Sequence, residues 1–184
     1  MPRTTTLLSL VCALPLLSCA SAPDAYGGPG DLATALQVSS SAFVSQQPIP
    51  DEYTCGGEGI SPPLRWSGVP SEARSLVLIV EDRDTARPFT HWLVYNLPTG
   101  VDLPEGTTPA LPRGASNGTN DDQAVGWIPP CPPSGRHAYH FRVHALDTLL
   151  TGLDAPTRPQ IEAAMQGHVL ATGEIVGTYQ RPLQ

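Results

Sequence analysis

The alternation of side chains between residues 137 and 146 is the feature that most constrains how this chain folds. The segment reads H-A-Y-H-F-R-V-H-A-L. Successive side chains of a strand point to opposite faces. One face therefore carries Tyr139, Phe141, Val143 and Ala145, and the other carries His140, Arg142 and His144. This period of two predicts a strand with one apolar face.

Three further segments have the composition of strands. The run Leu76–Val80 is apolar throughout and rich in β-branched residues, which is typical of a strand buried on both faces. His91–Leu97 predicts a second strand, which ends at Pro98. The pattern of Glu174–Tyr179 predicts a closing strand.

One helix is clearly indicated. The sequence T-R-P-Q at 157–160 has the capping-box pattern, with a proline in the first turn. Residues at helical spacing follow: Ile161, Ala164, Met165 and His168. Gly167 or Gly173 is expected to end the helix. Many strands, one clear helix and proline-rich connections predict a mainly β fold, a sandwich with small helical additions.

The N-terminus has the pattern of an export signal. Arg3 precedes the apolar stretch Leu7–Leu17, which has about the length of a signal-peptide core and is too short to span a bilayer. The sequence then reads S-C at Cys19, and L-L-S-C resembles the lipobox of bacterial lipoproteins. In such proteins the cysteine carries lipid and cleavage occurs before it. The alternative is an ordinary secretory leader that contains a cysteine.

These patterns divide the chain into three parts. Residues 1–18 are predicted to be a lipoprotein signal peptide, residues 19–36 a flexible tether, and residues 37–184 one folded domain. We expect export and anchoring to a membrane through Cys19, with the domain facing the periplasm or the cell exterior. The net charge of −7 and the lack of any basic run argue against nucleic-acid binding.

Two of the four cysteines remain once the leader and the anchor are set aside. Cys12 leaves with the leader, and Cys19 is the predicted lipid carrier. An even pair in an exported protein, Cys55 and Cys131, indicates a disulfide. Two free thiols in an apolar setting are the alternative.

Polar side chains stand at the ends of three predicted strands. Asp82 and Asp84 follow the run 76–80, His91 begins the next strand, and His137 begins another. If the first strand continues, the two aspartates share a face. If the fold brings these strand ends together, the groups would form a small polar pocket in which carboxylates orient imidazoles. Each also has an ordinary interpretation, the acids as turn formers and the histidines as surface or satisfied core residues.

Two motifs resemble those of the phosphatidylethanolamine-binding protein family, also called the Raf kinase inhibitor-like family, in its bacterial branch. V-E-D-R-D-T-A-R-P-F-T-H-W-L-V-Y-N-L-P at 80–98 is similar to the family's D-x-D…H-W-x-V-Y-N-x-P segment. P-C-P-P-S-G-R-H-A-Y-H-F at 130–141 is similar to its G-P-C-P-P-x-G-x-H-x-Y-x-F segment. With shorter matches near 61–66, 120–121 and 177–181, the resemblance spans roughly residues 40–181.

The resemblance implies a β-sandwich-like fold with a large central antiparallel sheet, a few short helices and a small anion-binding cavity. The residues that match the family's cavity are Asp82, Asp84, His91, Pro130, His137 and Tyr139. Such cavities accept phosphate-like groups, including phospholipid headgroups, without known turnover, and no cofactor is expected. Imidazoles, a phenol and backbone N–H groups suit phosphate oxygens.

The chain departs from the family pattern at the rim of the expected cavity. Ile128 and Pro129 stand where the family usually has two glycines, which removes one backbone N–H. Thr85 replaces a proline, and Asp122-Gln123 replaces an aromatic residue and a glycine. These changes bear on ligand choice.

The leading interpretation is a non-enzymatic binding protein for a small anionic or phosphorylated ligand. An inhibitor or regulator of an exported protease or other enzyme, acting through surface loops, is the alternative. A third interpretation is a metal-dependent hydrolase built on His91, His137 and the two aspartates. The sequence has no H-E-x-x-H, no G-x-S-x-G and no nucleophile paired with a clear base.

Overall fold

The structure is a computed structural model that describes Met1 and residues 34–182. Within these residues the chain forms two β-sheets and one α-helix. The strands are β1 (Thr34–Ala35), β2 (Gln37–Ser39), β3 (Arg65–Ser67), β4 (Ser75–Asp82), β5 (Phe89–Leu97), β6 (Ser116–Asn117), β7 (Arg136–Leu146) and β8 (Val169–Gln180). The helix is α1 (Arg158–Met165), and a 3₁₀ turn spans Asp51–Tyr53. The predicted mainly β fold is confirmed.

The larger sheet brings the predicted polar strand ends together. Its strand order is β1-β8-β7-β4-β5-β6, and β2 pairs with β3 in the smaller sheet. Apart from β1, which runs parallel to β8, all pairs are antiparallel. Antiparallel pairing places the C-terminal end of β4 beside the N-terminal ends of β5 and β7. Asp82 accordingly pairs with Phe89 on one side and with Tyr139 on the other.

Both faces of the central sheet are covered. All eight residues of β4 are buried, as its apolar run predicts. Leu78 and Phe141 belong to the main core on one face. On the other face, Ile79 packs in a smaller core with Ile161 and Met165 of α1. The sheet therefore lies between two apolar cores. Polar side chains are accommodated at the ends of its strands.

A buried carboxylate lies among the residues on the α1 side of the sheet. Glu81 is only 1% exposed and accepts a hydrogen bond from Arg83 Nε at 2.6 Å. Arg142 Nη2 lies 3.3 Å from the same carboxylate, and Arg158 of α1 donates to its second oxygen. The sequence pattern did not predict this cluster, because its members come from separate elements.

Helix α1 begins as the capping box predicts. The backbone N–H of Thr157 donates to the Gln160 side chain at 2.8 Å, and the helix ends at Met165. Gly167 follows with φ of +78°, a conformation that glycine adopts easily. Gly173 lies inside β8, so Gly167 is the glycine that follows the helix end.

The sheet begins earlier in the chain than residue 37. Thr34 and Ala35 pair with Ala171 and Thr172 of β8, inside the stretch predicted as a tether. Apart from Met1, the predicted signal peptide, Cys19 and the tether as far as residue 33 lie outside the described residues. No helix in the described part of the chain is long and apolar enough to cross a bilayer.

Candidate functional site

A cavity of about 250 Å³ opens where β4 ends and β5 and β7 begin. Its polar lining consists of Asp82, Thr85, His91, Asp122 and Tyr139. Its apolar wall is made by Phe89 and by residues of the proline-rich loop at 128–133. Three of the six predicted cavity residues therefore line it directly.

Asp82 lines the cavity, and its partner His137 is not among the lining residues. His137 Nδ1 lies 2.6 Å from Asp82 Oδ2, and both side chains are largely buried. Since a carboxylate oxygen can only accept, Nδ1 carries the proton of this hydrogen bond. The second Asp82 oxygen accepts the backbone N–H of Asp84 at 2.9 Å. Asp82 thus orients the His137 ring and is held in place by the turn that follows β4.

Asp84 and Pro130, like His137, lie beside the cavity and do not line it. β4 ends at Asp82, so the condition for Asp84 to share its strand face is not met. The Asp84 carboxylate is exposed and accepts the backbone N–H of Ala138 at 2.7 Å. The carbonyl oxygen of Pro130 accepts the backbone N–H of Cys55 at 3.0 Å. Through these hydrogen bonds, both residues hold the backbone segments that surround the site.

His91 reaches the cavity because β5 contains a bulge. Val80 pairs with Trp92, whereas the next residue, Glu81, pairs with Thr90. β5 therefore has one residue more than β4 at this point, and that residue is His91. Simple alternation would place His91 and Trp92 on opposite faces, but the extra residue lets His91 turn toward the cavity.

The His91 ring is held by aromatic neighbours and by one hydrogen bond. Its centroid lies 5.0 Å from that of Phe89 and 5.2 Å from that of Tyr139, both edge to face. Nδ1 lies 2.9 Å from the carbonyl oxygen of Ile128. Burial lowers the pKa of His91 below its ordinary value, although the Ile128 carbonyl and the charge of Asp82 oppose that shift.

Tyr139 contributes an unpartnered phenol. The residue is fully buried, and its hydroxyl has no hydrogen-bond partner among the described residues. Burial first, and then the nearby charge of Asp82, raise the pKa of this phenol. The hydroxyl therefore keeps its proton at neutral pH and can donate. A buried polar group of this kind is normally satisfied in a native protein.

A covalent bridge holds the proline-rich wall. Cys55 and Cys131 form a disulfide across a sequence separation of 76, with Cα atoms 5.4 Å apart. Of the two alternatives left by the sequence, the bonded one is present. Trp127 Nε1 adds a hydrogen bond of 2.9 Å to the carbonyl oxygen of Gly59 in the same loop as Cys55. The wall is thus fixed at both ends to the segment around the 3₁₀ turn.

A larger concavity of about 540 Å³ lies on the α1 side of the β5 start. Three of its four charged lining residues, all except Arg87, already pair within the protein. Arg158 bonds Glu162 at 2.7 Å, and Asp121 accepts the backbone N–H of Thr90 at 2.7 Å. Because these groups are engaged, we place the candidate site in the smaller cavity, which has an unpartnered phenol and an accessible imidazole.

The sequence patterns did not predict several of the residues that line the cavity. Phe89 stands two positions before His91, and this spacing was a usable signal for a shared side of β5. Thr85, Asp122 and Pro129 were noted as departures from the family pattern, but nothing local showed that they face the cavity. Thr85 comes from the β4–β5 connection and the other two from the long β6–β7 connection, and only the fold brings them together.

No group of three His, Cys, Asp or Glu side chains is arranged to hold a metal ion within residues 34–182. His91 and His137 each use Nδ1 for a protein acceptor, a backbone carbonyl and a carboxylate respectively. The site is therefore described by its hydrogen-bond donors and acceptors.

Comparisons with known proteins agree with the motifs. The family model described as phosphatidylethanolamine-binding protein matches residues 39–180. A UPF0098 protein of Methanothermobacter thermautotrophicus is 43% identical over 150 residues, 79% of this chain and 99% of that protein. A crystal structure of a phosphatidylethanolamine-binding protein homologue from Chlamydia trachomatis superposes with a TM-score of 0.75 at 44% identity, covering 80% of this chain and 99% of that one. E. coli YbcL, described as a new member of the mammalian family, gives a TM-score of 0.74 at 31% identity over the same shares. The chain belongs to the phosphatidylethanolamine-binding protein family.

Proposed function

We propose that this protein is a non-enzymatic binding protein whose cavity takes a small anion, either phosphate or the phosphate of a phospholipid headgroup. The observation that carries the proposal is that His91, Tyr139 and Asp82, which is hydrogen-bonded to His137, line one cavity of about 250 Å³. A volume of this size accommodates a headgroup-sized ligand. The name of the family supports the same ligand class.

The cavity is suited to binding without reorganisation. The disulfide fixes the Cys131 loop, and the prolines of that loop have restricted backbone angles. Asp82 holds His137, and the Ile128 carbonyl holds His91. A site whose groups are already ordered loses less conformational entropy when a ligand binds.

Two observations support the non-enzymatic part of the proposal. The sulfur of Cys131, which lines the cavity, is bonded to Cys55 and is not available as a thiolate nucleophile. The imidazoles use Nδ1 to hold their own orientation, and no serine is among the lining residues. Polar groups here are arranged to receive an anion and not to attack one.

We further propose that the protein is exported and anchored by lipid on Cys19. The Cys55–Cys131 disulfide supports export, because such bonds persist in oxidising compartments and are rare in the cytosol. An anchored binding domain with a headgroup-sized cavity would work close to a membrane surface.

Phosphate should protect the purified domain against thermal unfolding. A ligand at 100 times its Kd adds about 2.7 kcal/mol to the free energy of unfolding, which is about 5–10 °C for a domain of this size. In His137→Ala the protection should largely disappear, because Asp82, which lines the cavity, loses its hydrogen-bond donor and faces the anion as an unpaired carboxylate. The measurement is the ligand-induced shift of Tm, taken for each variant against its own ligand-free Tm.

His168→Ala is the matched control for this experiment. His168 is half exposed and pairs with Asp147 at 2.8 Å, outside the cavity. It should keep the full protection by phosphate. Equal shifts in His137→Ala and wild type, or no shift in wild type at 10 mM phosphate or phosphorylethanolamine (roughly 100 times a Kd of 0.1 mM), would contradict the proposed site.

Lipidation is tested by cell fractionation of a bacterium that expresses the full chain. We expect wild type in the membrane fraction, with a diacylglyceryl mass on a peptide that begins at Cys19. Cys19→Ser should move the protein to the soluble exported fraction, whereas Cys12→Ser, inside the predicted leader, should leave the anchor unchanged. Unlipidated wild type recovered only from the soluble fraction would contradict the anchor.

A further inference from the structure

The tautomer of His91 is fixed by its position. Nδ1 lies 2.9 Å from the carbonyl oxygen of Ile128. A carbonyl oxygen can only accept a hydrogen bond, so Nδ1 must carry a proton. In a neutral imidazole the other ring nitrogen then has no proton and is an acceptor. The Ile128 carbonyl thereby determines what His91 Nε2 offers to a ligand.

Nε2 of His91 is available to the cavity. It makes no hydrogen bond to any described residue, and it is not among the buried unpartnered atoms of the structure. His91 itself lines the cavity. The nitrogen that carries the lone pair is therefore the polar atom that His91 presents to a ligand.

The surroundings keep the ring neutral. The rings of Phe89 and Tyr139 pack against it edge to face, and the residue is 6% exposed. This burial lowers the pKa of His91 and outweighs Asp82 and Asp121, whose charges raise it. His137, which faces it from β7, acts in the same direction as burial.

The remaining polar groups define the ligand that fits. Asp82 lines the cavity as a second acceptor, and Asp122 adds a further carboxylate to the lining. The Tyr139 hydroxyl is free to donate. An anion without a hydrogen has only lone pairs to offer to the lone pair of His91 Nε2, so the two atoms repel each other. The two carboxylates also repel its charge. An anion that carries a hydrogen can donate to His91 and accept from Tyr139.

We propose that the cavity selects tetrahedral anions that carry a hydrogen-bond donor, a protonated phosphate above all, with His91 Nε2 accepting from the P–OH group. This inference rests on the proposed function of the site and adds its selectivity. Phosphate and sulfate have nearly the same shape and differ in this hydrogen at neutral pH. Discrimination between them therefore reports on the protonation of the ligand and not on its size.

The test is calorimetric titration of the mature domain with phosphate, methyl phosphate, dimethyl phosphate and sulfate at constant ionic strength. At pH 7.5 we expect sulfate and dimethyl phosphate to bind about 10–100-fold more weakly than inorganic phosphate, because a buried acceptor is left unpaired. Methyl phosphate loses its P–OH above a pKa of about 6, so its affinity should fall about tenfold per pH unit above that value. Inorganic phosphate keeps one P–OH in this range and should not show that fall. The two esters also distinguish the free phosphate group from the diester of a lipid headgroup.

His91→Gln and His168→Gln are the paired variants. The amide of glutamine can turn to donate or to accept, so His91→Gln should reduce the ratio of phosphate to sulfate affinity toward one. His168→Gln, outside the cavity, should keep the wild-type ratio. If His91→Gln does not fold, the wild-type ratio and the pH dependence of methyl phosphate decide the question. Equal affinity of wild type for phosphate and sulfate would overturn the selectivity and leave the anion site standing, whereas binding of neither would overturn the proposed function itself.

Discussion

Replacement of both Cys55 and Cys131 by serine is expected to lower the free energy of unfolding by about 4 kcal/mol. The bridge joins residues separated by 76 positions, so its loss releases a long loop in the unfolded chain. Chain entropy accounts for most of this value in the loop-closure model. Urea unfolding of the double variant and of wild type, each extrapolated to zero urea with its own m, gives the difference, since the unfolded chain expands without the bridge.

Wild type treated with reductant should unfold at the same urea concentration as the double variant. The double variant should also bind phosphate more weakly, because the bridge holds the wall that contains Pro129 and Pro132. A double variant as stable as oxidised wild type would show that the native contacts of the loop, such as Cys55 N–H to the Pro130 carbonyl, suffice without the bond.

The second large effect is expected at Glu81. This carboxylate is 1% exposed and is shared by Arg83 just after β4, Arg142 within β7 and Arg158 of α1. Glu81→Gln keeps the volume but leaves three guanidinium groups together without their central counter-charge. Removal of one partner from a buried ionic cluster costs several kcal/mol. We expect Glu81→Gln to lower the free energy of unfolding by about 3 kcal/mol. This is the lower end of the range for buried ion pairs, because the arginines are partly exposed.

Glu162→Gln supplies the matched control, because Glu162 also pairs with Arg158 but is 47% exposed. Glu162→Gln should lower the free energy of unfolding by less than about 0.5 kcal/mol. Added salt should reduce the small effect of Glu162 and leave most of the Glu81 effect, since buried charges are screened less. If the two variants unfold at the same denaturant concentration, the buried carboxylate contributes no more than an exposed one.

The faces of the strands could be read from the sequence with little error. The period of two from 137 to 146 predicts which β7 residues enter the core, and Phe141 and Val143 are fully buried. The apolar run in β4 predicts burial on both faces, and every residue of β4 is buried. Such assignments succeed because side-chain direction in a strand depends on local geometry alone.

The position of the site could also be predicted from the sequence, because several strand ends carry polar side chains. Asp82, His91 and His137 meet at one edge because antiparallel neighbours bring the end of one strand to the start of the next. The family resemblance added Tyr139, which lines the cavity. It also added Pro130, whose carbonyl, like the carboxylate of the strand-end residue Asp84, is engaged with a backbone group beside the cavity.

By itself, the sequence determined the mainly β fold, the family, the polar strand ends and which two cysteines could pair. Only the tertiary structure decided how His91 meets its ligand. The bulge opposite Val80 and Glu81 turns the ring into the cavity, and the Ile128 carbonyl sets its tautomer. Only the structure, likewise, collected three arginines around Glu81. The physical reason is the same in both cases: a bulge and an ionic cluster depend on how separate segments pair, which no local periodicity records.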